Sequence, residues 1–263
     1  MPSHSETTLS ICGTETKVLR GGEGPPLVFL SGAGSSGEWQ PFMNQLATHF
    51  DLIAPRHPGF GGTEMPGWLD NIHDMAYFYL DLLSELDLTG VHLVGLSLGG
   101  WIAAEMAVRN TSRLASLTLV DAAGIYVKGV PVVDTFRSSD EQRVRDMFHD
   151  QTLAEQVIAR TLLPEREDLM LRERQTAAKL MWQPRSYDPH LAKWLHRIDV
   201  PTLVLWGEND KLFPREYASE YQRLIPGSKA VVLPDCGHLP NLEKADEFVG
   251  QLTRFIAEQE TSR

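Results

Sequence analysis

The chain has 263 residues, a formal net charge of −11, 42% hydrophobic residues and 22% charged residues. This length suits one large domain with a substantial core, and the acidic charge disfavours nucleic acid and anionic membrane surfaces as partners. No apolar run approaches the roughly 20 residues that a membrane-spanning helix needs, and the first residues lack a basic region followed by an apolar stretch, so we expect a cytoplasmic protein that acts on a small molecule.

Short apolar runs alternate with helical patterns along the first half of the chain. A leading hairpin is predicted around Gly13, because the residues on either side of it alternate between apolar and polar. Strand-like runs and helical spacings then follow one another, and such alternation predicts a parallel sheet covered by helices. The predicted strands are Leu27–Leu30, Leu52–Ala54, Val91–Val94 and Leu114–Val120, and the predicted helices lie at 41–49, 72–86 and 98–109.

A serine stands in the turn between the strand at 91–94 and the next helix, within the sequence Gly-Leu-Ser-Leu-Gly-Gly at 95–100. Gly-x-Ser-x-Gly between a strand and a helix is the nucleophile-elbow pattern. Gly95 and Gly99 leave room for a tight turn that lifts the serine clear of its own backbone. Ser97 is therefore the candidate nucleophile, and a bystander serine in a glycine-rich turn is the alternative.

Residues 125–197 interrupt the alternation of strands and helices. They lack strand-like runs, carry many charges and show helical spacing of their apolar residues. Strand-like runs resume at Pro201. We therefore predict a core formed by residues 1–124 and 198–263, with a helical cap inserted at 125–197 that roofs the serine and shapes its pocket. A helical packing layer without a gating role is the alternative.

A histidine and an aspartate follow the two later strand-like runs. His238 lies in the loop Pro-Asp-Cys-Gly-His-Leu-Pro, and Asp210 lies in the turn Gly-Glu-Asn-Asp. An imidazole can take the serine proton and return it to a leaving group, and a carboxylate can orient that imidazole and stabilise its cation. Asp121 also ends a strand-like run, the one before the predicted cap, and competes with Asp210 for the role of the acid.

Three of these segments together resemble the α/β-hydrolase superfamily. They are Gly-Leu-Ser-Leu-Gly-Gly at 95–100, Trp-Gly-Glu-Asn-Asp at 206–210 and Cys-Gly-His-Leu-Pro at 236–240, and the likeness covers nearly the whole chain outside 125–197. The resemblance implies an α/β-hydrolase fold and a triad of Ser97, Asp210 and His238, in the chain order usual for that superfamily. It favours Asp210 over Asp121, because an acid after the later strand is the commoner arrangement in the family.

The resemblance also gives a role to the loop after the strand Leu27–Leu30. Ser31-Gly32-Ala33-Gly34 stands where the family has its His-Gly-x-Gly oxyanion loop, with serine in place of the histidine. By the family pattern, the backbone N–H groups of Ala33 and Leu98 bind the oxyanion. Each such donor is worth roughly 10²–10³ in rate.

Substrate contacts are expected from the same loop region and from the predicted cap. The segment at 150–160 resembles the lid of ring-cleavage-product C–C hydrolases, in which an arginine contacts an acidic substrate, and a solvated helix arginine is the alternative. Leu239 follows the histidine where those enzymes usually have tryptophan. The residues expected to contact substrate are Gly32, Gly34, Trp39 and Arg160.

The glycine loop also matches a different kind of site. Gly-Ala-Gly-Ser-Ser-Gly at 32–37 fits the dinucleotide fingerprint Gly-x-Gly-x-x-Gly after a strand. That fingerprint needs its third glycine inside a helix, whereas Pro41 suits the first turn of a helix that starts after the loop. The dinucleotide interpretation also leaves the serine, aspartate and histidine unexplained. The remaining histidines, His57 among them, have no evident partner, and we predict neither a metal nor a cofactor.

Together these features predict a cofactor-independent serine hydrolase that cleaves small or medium carboxylic esters through an acyl-enzyme. Three alternatives remain at this point. They are hydrolysis of a C–C bond in ring-cleavage-type diketone acids by the same triad, a ligand sensor with slow turnover, and a dinucleotide-binding oxidoreductase. The fold does not choose among them, because one fold hosts many chemistries.

Overall fold

Eight strands form one sheet in the computed structural model, which describes residues 3–34 and 37–260. The strands are β1 His4–Ile11, β2 Thr14–Gly21, β3 Pro26–Leu30, β4 Asp51–Pro55, β5 Val91–Leu96, β6 Leu114–Val120, β7 Thr202–Gly207 and β8 Lys229–Leu233. Their order across the sheet is β1-β2-β4-β3-β5-β6-β7-β8. β2 pairs antiparallel with both of its neighbours, β1 and β4. The other neighbouring strands, from β4 to β8 in this order, pair parallel. The predicted hairpin and the mostly parallel sheet are therefore confirmed.

Nine α-helices are found in the described part of the chain. They are α1 Pro41–Leu46, α2 Ile72–Glu85, α3 Leu98–Arg109, α4 Asp140–Met147, α5 Gln151–Thr161, α6 Glu167–Met181, α7 Glu216–Leu224, α8 Pro240–Glu243 and α9 Ala245–Glu260. Within this part of the chain, no helix is both long and apolar enough to span a bilayer.

The helices cover both faces of the sheet, because side chains alternate between the faces along each strand. In β3, Val28 and Leu30 join the hydrophobic cluster that includes α2, α3 and α7, whereas Leu27 and Phe29 join the cluster of α1 and α9. The central strands β5, β6 and β7 are buried along their whole length. Such continuous burial explains why their sequences are nearly unbroken apolar runs rather than alternating patterns.

The segment between β6 and β7, all of it described, contains α4, α5 and α6 and three short 3₁₀ turns, and it adds no strand to the sheet. Val144, Phe148 and Ala154 form a small hydrophobic cluster of their own, against which Leu239 and Leu242 pack. The segment therefore contacts the loop that carries His238. The helical content matches the sequence analysis, while the division into core and cap stays a prediction.

Candidate active site

Ser97 lies where β5 passes into α3, in a backbone conformation that few residues adopt. Its φ is 54° and its ψ is −113°, which is the left-handed strain expected of a nucleophile elbow. The Ser97 N–H donates to the carbonyl of Val120 at 2.9 Å, and the Ser97 carbonyl accepts from the N–H of Ala123 at 3.1 Å. The turn is thus fixed to β6 and to the residues that follow it.

The backbone comes so close on both sides of Ser97 that only glycine fits. A Cβ on Gly95 would lie 2.2 Å from the carbonyl oxygen of Gly99, and a Cβ on Gly99 would lie 2.1 Å from the carbonyl oxygen of Leu30. Neither clash involves a flexible side chain that could move away. The Gly-x-Ser-x-Gly spacing is therefore a packing requirement of the turn itself.

The loop after β3 reaches the serine from the neighbouring strand. A Cβ built on Gly32 would lie 3.3 Å from Ser97 Cβ and 3.8 Å from Ser97 Oγ. Ala33 is the next residue of this loop, and Leu98 is the first residue of α3, so the Leu98 N–H has no partner within its helix. This arrangement suits the predicted oxyanion hole, whose assignment to Ala33 and Leu98 stays a prediction.

His238 and Asp210 form a buried pair at the carboxyl ends of β7 and β8. Nδ1 of His238 lies 2.8 Å from Oδ2 of Asp210, and the two side chains are 2% and 0% exposed. The other oxygen, Oδ1, accepts the N–H groups of Leu212 at 2.8 Å and Phe213 at 3.1 Å. These donors fix the carboxylate, and a histidine that donates through Nδ1 keeps Nε2 free to accept a proton.

The competing acid, Asp121, makes a different set of contacts. It directly follows β6, is fully buried, and accepts the N–H of Gly207 through Oδ1 at 2.9 Å. The structure therefore places Asp210, and not Asp121, in the hydrogen bond with His238.

The loop that carries His238 is held by the segment between β6 and β7. The His238 N–H donates to the carbonyl of Met147 at 2.7 Å. One oxygen of Glu243 accepts the N–H of Gly237 at 2.8 Å, and the other accepts those of His149 and Asp150 at 2.8 and 2.9 Å. A single carboxylate thus joins the histidine loop to the chain between α4 and α5. Sequence reasoning missed this role of Glu243.

Comparison with known proteins places this architecture in a family. The family described as having the alpha/beta hydrolase fold matches residues 25–245 of the chain. The chain belongs to the α/β-hydrolase family. Hydrolase chemistry on this fold, as the motifs indicated, is thereby confirmed.

Relatives of this α/β hydrolase include enzymes of more than one kind. It is 27% identical to a 2-hydroxy-6-oxo-6-(2'-aminophenyl)hexa-2,4-dienoic acid hydrolase of Metapseudomonas resinovorans, over 97% of this chain and 92% of that protein. It is 26% identical to Lipase 1 of Psychrobacter immobilis, over 91% of this chain and 79% of that protein. The crystal structure of a candidate lipase of Acinetobacter baumannii AYE superposes with a TM-score of 0.84 at 26% identity, covering 99% and 93% of the two chains.

One histidine that the sequence analysis left without a partner supports the glycine loop of the α/β hydrolase. His57 follows β4, and only 2% of it is exposed. Its Nε2 lies 2.7 Å from the carbonyl oxygen of Ser31, and its Nδ1 lies 2.5 Å from the hydroxyl of Tyr79. In the neutral tautomer that fits both contacts, Nε2–H donates to Ser31 and the tyrosine hydroxyl donates to Nδ1. The histidine therefore anchors the residue just before Gly32.

This buried histidine predicts a loss of stability in mild acid. Burial lowers the pKa of His57 to about 4, and the hydrogen bond to Ser31 only partly opposes this. As pH falls below about 6.5, the unfolded chain binds a proton that the folded protein does not, so the free energy of unfolding decreases. Between pH 7 and pH 5, His57 alone should remove about 2 kcal/mol. Urea unfolding of the wild type and of His57→Gln at both pH values measures this difference, and equal losses in the two proteins would contradict it.

The structure separates the residues that were expected to contact substrate. Gly32 lies beside the serine. Trp39 stacks on the ring of His4 with centroids 4.5 Å apart, at the end of the sheet where β1 begins. Because β1 runs in the same direction as β4, this is the end opposite the carboxyl ends of the parallel strands. Gly34 is exposed with a φ of 77°, and Arg160 is exposed in the last turn of α5.

Two groups of described side chains have the chemistry of metal ligands, with their ligand atoms within 4.8 Å of one another. The groups are His73, Glu105 and Asp188, and Asp121, Asp210 and His238. In the first group, His73 Nε2 lies 3.0 Å from Asp188 and 3.6 Å from Glu105, which also pairs with Arg109. The three side chains thus contact one another directly, with Arg109 as the cationic partner of Glu105, and the metal-free assignment stays a prediction.

The dinucleotide alternative does not fit the loop well. Ser35 and Ser36 of its motif lie outside the described residues, but α1 begins only at Pro41 and has six residues. A helix that starts four residues after Gly37 cannot present its first turn to a phosphate held by the motif, which is the basis of dinucleotide binding.

Proposed function

We propose that this α/β hydrolase is a serine esterase that cleaves small or medium carboxylic esters through an acyl-enzyme on Ser97. The observation that carries the proposal is the combination of a strained elbow serine with a buried histidine–aspartate pair at the same edge of the sheet. These groups supply a nucleophile, a base and an orienting acid, which acyl transfer requires.

In the proposed reaction, His238 takes the proton of Ser97 Oγ as that oxygen attacks the ester carbonyl. The N–H groups of Ala33 and Leu98 stabilise the oxyanion that develops. The imidazolium, stabilised by Asp210, gives its proton to the departing alcohol, which leaves an acyl-enzyme. Water then gives a proton to the same imidazole as it attacks the acyl carbon, and the imidazolium returns that proton to Ser97 Oγ as the bond between the serine and the acyl carbon breaks, which releases the carboxylic acid.

The segment at 125–197 would act as a cap over this site. Support comes from the hydrogen bond between Met147 and the His238 backbone, and from the carboxylate of Glu243 that bridges Gly237 with His149. A cap joined to the base in this way would exclude water and shape the acyl pocket.

A second candidate is hydrolysis of a C–C bond in a diketone acid by the same serine, histidine and aspartate. The similarity to the Metapseudomonas resinovorans hydrolase supports this candidate. Both reactions begin with attack on a carbonyl carbon, and they differ in the group that leaves. The leaving group of an ester is its alcohol oxygen, whereas the leaving group of a vinylogous diketone is a carbanion stabilised by conjugation.

The two candidates are separated by parallel assays of one preparation. Steady-state hydrolysis of p-nitrophenyl acetate, butyrate and octanoate is compared with loss of the visible absorbance of a 2-hydroxy-6-oxohexadienoate. We expect steady ester turnover with little consumption of the diketone acid. A kcat/KM for the diketone acid about 100-fold or more above that for the best ester would replace the esterase proposal with the C–C hydrolase. Release of a single equivalent of product without further turnover would indicate the sensor alternative.

A further inference from the structure

Asp121 carries a buried oxygen atom without a donor. The residue is fully buried, directly follows β6 and has a φ of 42°, which is left-handed backbone. Oδ1 accepts the N–H of Gly207 at 2.9 Å, whereas no group of the described chain donates to Oδ2. A buried, ionised carboxylate oxygen without a hydrogen-bond donor costs free energy.

A second carboxylate, that of Asp210, lies close to the Asp121 side chain. One side-chain oxygen of Asp121, one of Asp210 and one ring nitrogen of His238 all lie within 4.8 Å of one another. Two ionised carboxylates so close together in a water-poor environment repel each other strongly, and such pairs hold one proton between them.

The hydrogen bonds decide which aspartate carries the charge. Asp210 faces three donors, the N–H groups of Leu212 and Phe213 and the imidazole of His238, while Asp121 has one donor. Both oxygens of Asp210 already accept hydrogen bonds, so the oxygen of the pair that is free to carry a proton is Oδ2 of Asp121. Burial, together with the negative charge of Asp210, raises the pKa of Asp121 well above its usual range.

We infer that Asp121 is held as the neutral acid and donates its Oδ2–H to the carboxylate of Asp210, which it positions against His238. The catalytic role of this contact rests on the proposed function, whereas the protonation of Asp121 does not depend on it. The proton gives the orphaned oxygen a role as donor and leaves a single negative charge behind the histidine. Glu243 also acts on Asp121 and raises its pKa, and burial, Asp121, Glu243 and Asp210 raise the pKa of the nearby Cys236 thiol, which Lys244 partly opposes.

Asparagine is the matched substitution for a neutral aspartic acid at this position. In Asp121→Asn, the amide oxygen can accept from Gly207 and the amide N–H₂ can donate to Asp210, and asparagine tolerates left-handed backbone. In Asp121→Gly, the same backbone is allowed but both contacts are lost. The two variants therefore differ in the hydrogen bonds and not in backbone strain.

The kinetic test measures p-nitrophenyl butyrate hydrolysis by the wild type and these two variants. We expect kcat of Asp121→Asn within about 5-fold of the wild type, and kcat of Asp121→Gly lower by about 10- to 100-fold with KM nearly unchanged, because the base is displaced rather than the substrate. An equal loss in both variants would overturn the inference, since it would mean that Asp121 acts as a charged carboxylate. Wild-type turnover in Asp121→Gly would overturn its positioning role.

The protonation test uses infrared difference spectroscopy of the wild type against Asp121→Asn at pH 7. We expect the wild type to show the C=O stretch of a neutral carboxylic acid that the variant lacks, and a missing band would overturn the inference. This spectrum needs no turnover and no glycine variant that folds. If the wild type has no turnover that depends on Ser97, the proposed function fails, and the spectrum still decides whether Asp121 holds the proton.

Discussion

Replacing Ser97 with alanine is expected to lower kcat for p-nitrophenyl butyrate by at least about 10³-fold. The substitution removes the only atom of this residue that can form the acyl-enzyme, whereas the N–H groups of Ala33 and Leu98 remain and leave a small residual rate. Alanine keeps the Cβ that the turn already accommodates, so the fold should persist. Steady-state kinetics together with the thermal unfolding midpoint measure both effects.

The control for this variant is Ser10→Ala, which removes the hydroxyl of an exposed serine in β1. Its turnover should equal that of the wild type. A Ser97→Ala protein that is folded and keeps more than about a tenth of the wild-type kcat would contradict the role of this serine, because a lost nucleophile costs far more than tenfold.

Replacing Asp210 with asparagine is expected to lower kcat by about 10³- to 10⁴-fold. Asp210 Oδ2 accepts the Nδ1–H of His238, which leaves the unprotonated Nε2 to take the serine proton. An asparagine can present its N–H₂ to Nδ1 instead, and this contact favours the tautomer with the proton on Nε2, which cannot act as a base. Loss of the carboxylate also removes the charge that stabilises the imidazolium. The measurement is kcat for p-nitrophenyl butyrate.

Asp121→Asn is the matched control, because it makes the same change in the other buried acid. It should cost about 5-fold at most, since asparagine can keep the hydrogen bonds of a neutral acid. A larger loss for Asp121→Asn than for Asp210→Asn would exchange the roles of the two residues and make Asp121 the acid of the triad.

The sequence predicts the central sheet well because apolar runs and glycines coincide there. Strands such as β5 and β7 are buried on both faces, so their sequences are nearly continuous apolar runs, with a glycine at the last position of β7 and the last but one of β5. The elbow at Ser97 could be predicted from the Gly-x-Ser-x-Gly spacing between a strand-like run and a helical pattern, which is a local signal in the sequence. Asp210 and His238 could be predicted because each follows a strand, and carboxyl ends of parallel strands share one edge of the sheet.

The supporting contacts could not be predicted because they depend on which strands are neighbours. β4 lies between β2 and β3 in the sheet, although β3 comes between β2 and β4 along the chain. The pairing of β4 with β3 brings His57 to Ser31. The contact between Asp121 and Gly207 likewise depends on the pairing of β6 with β7 across the long helical segment. Trp39 was expected near the substrate from its place in the loop, but its ring lies against His4 at the far end of the sheet.

The most direct test of the central claim is covalent labelling of the active serine with a fluorophosphonate, followed by intact-protein mass spectrometry. The wild type should gain the mass of one adduct per chain, and Ser97→Ala should gain none under the same conditions. Adducts on both proteins, or no adduct on a folded wild type, would contradict the assignment of Ser97 as an activated nucleophile.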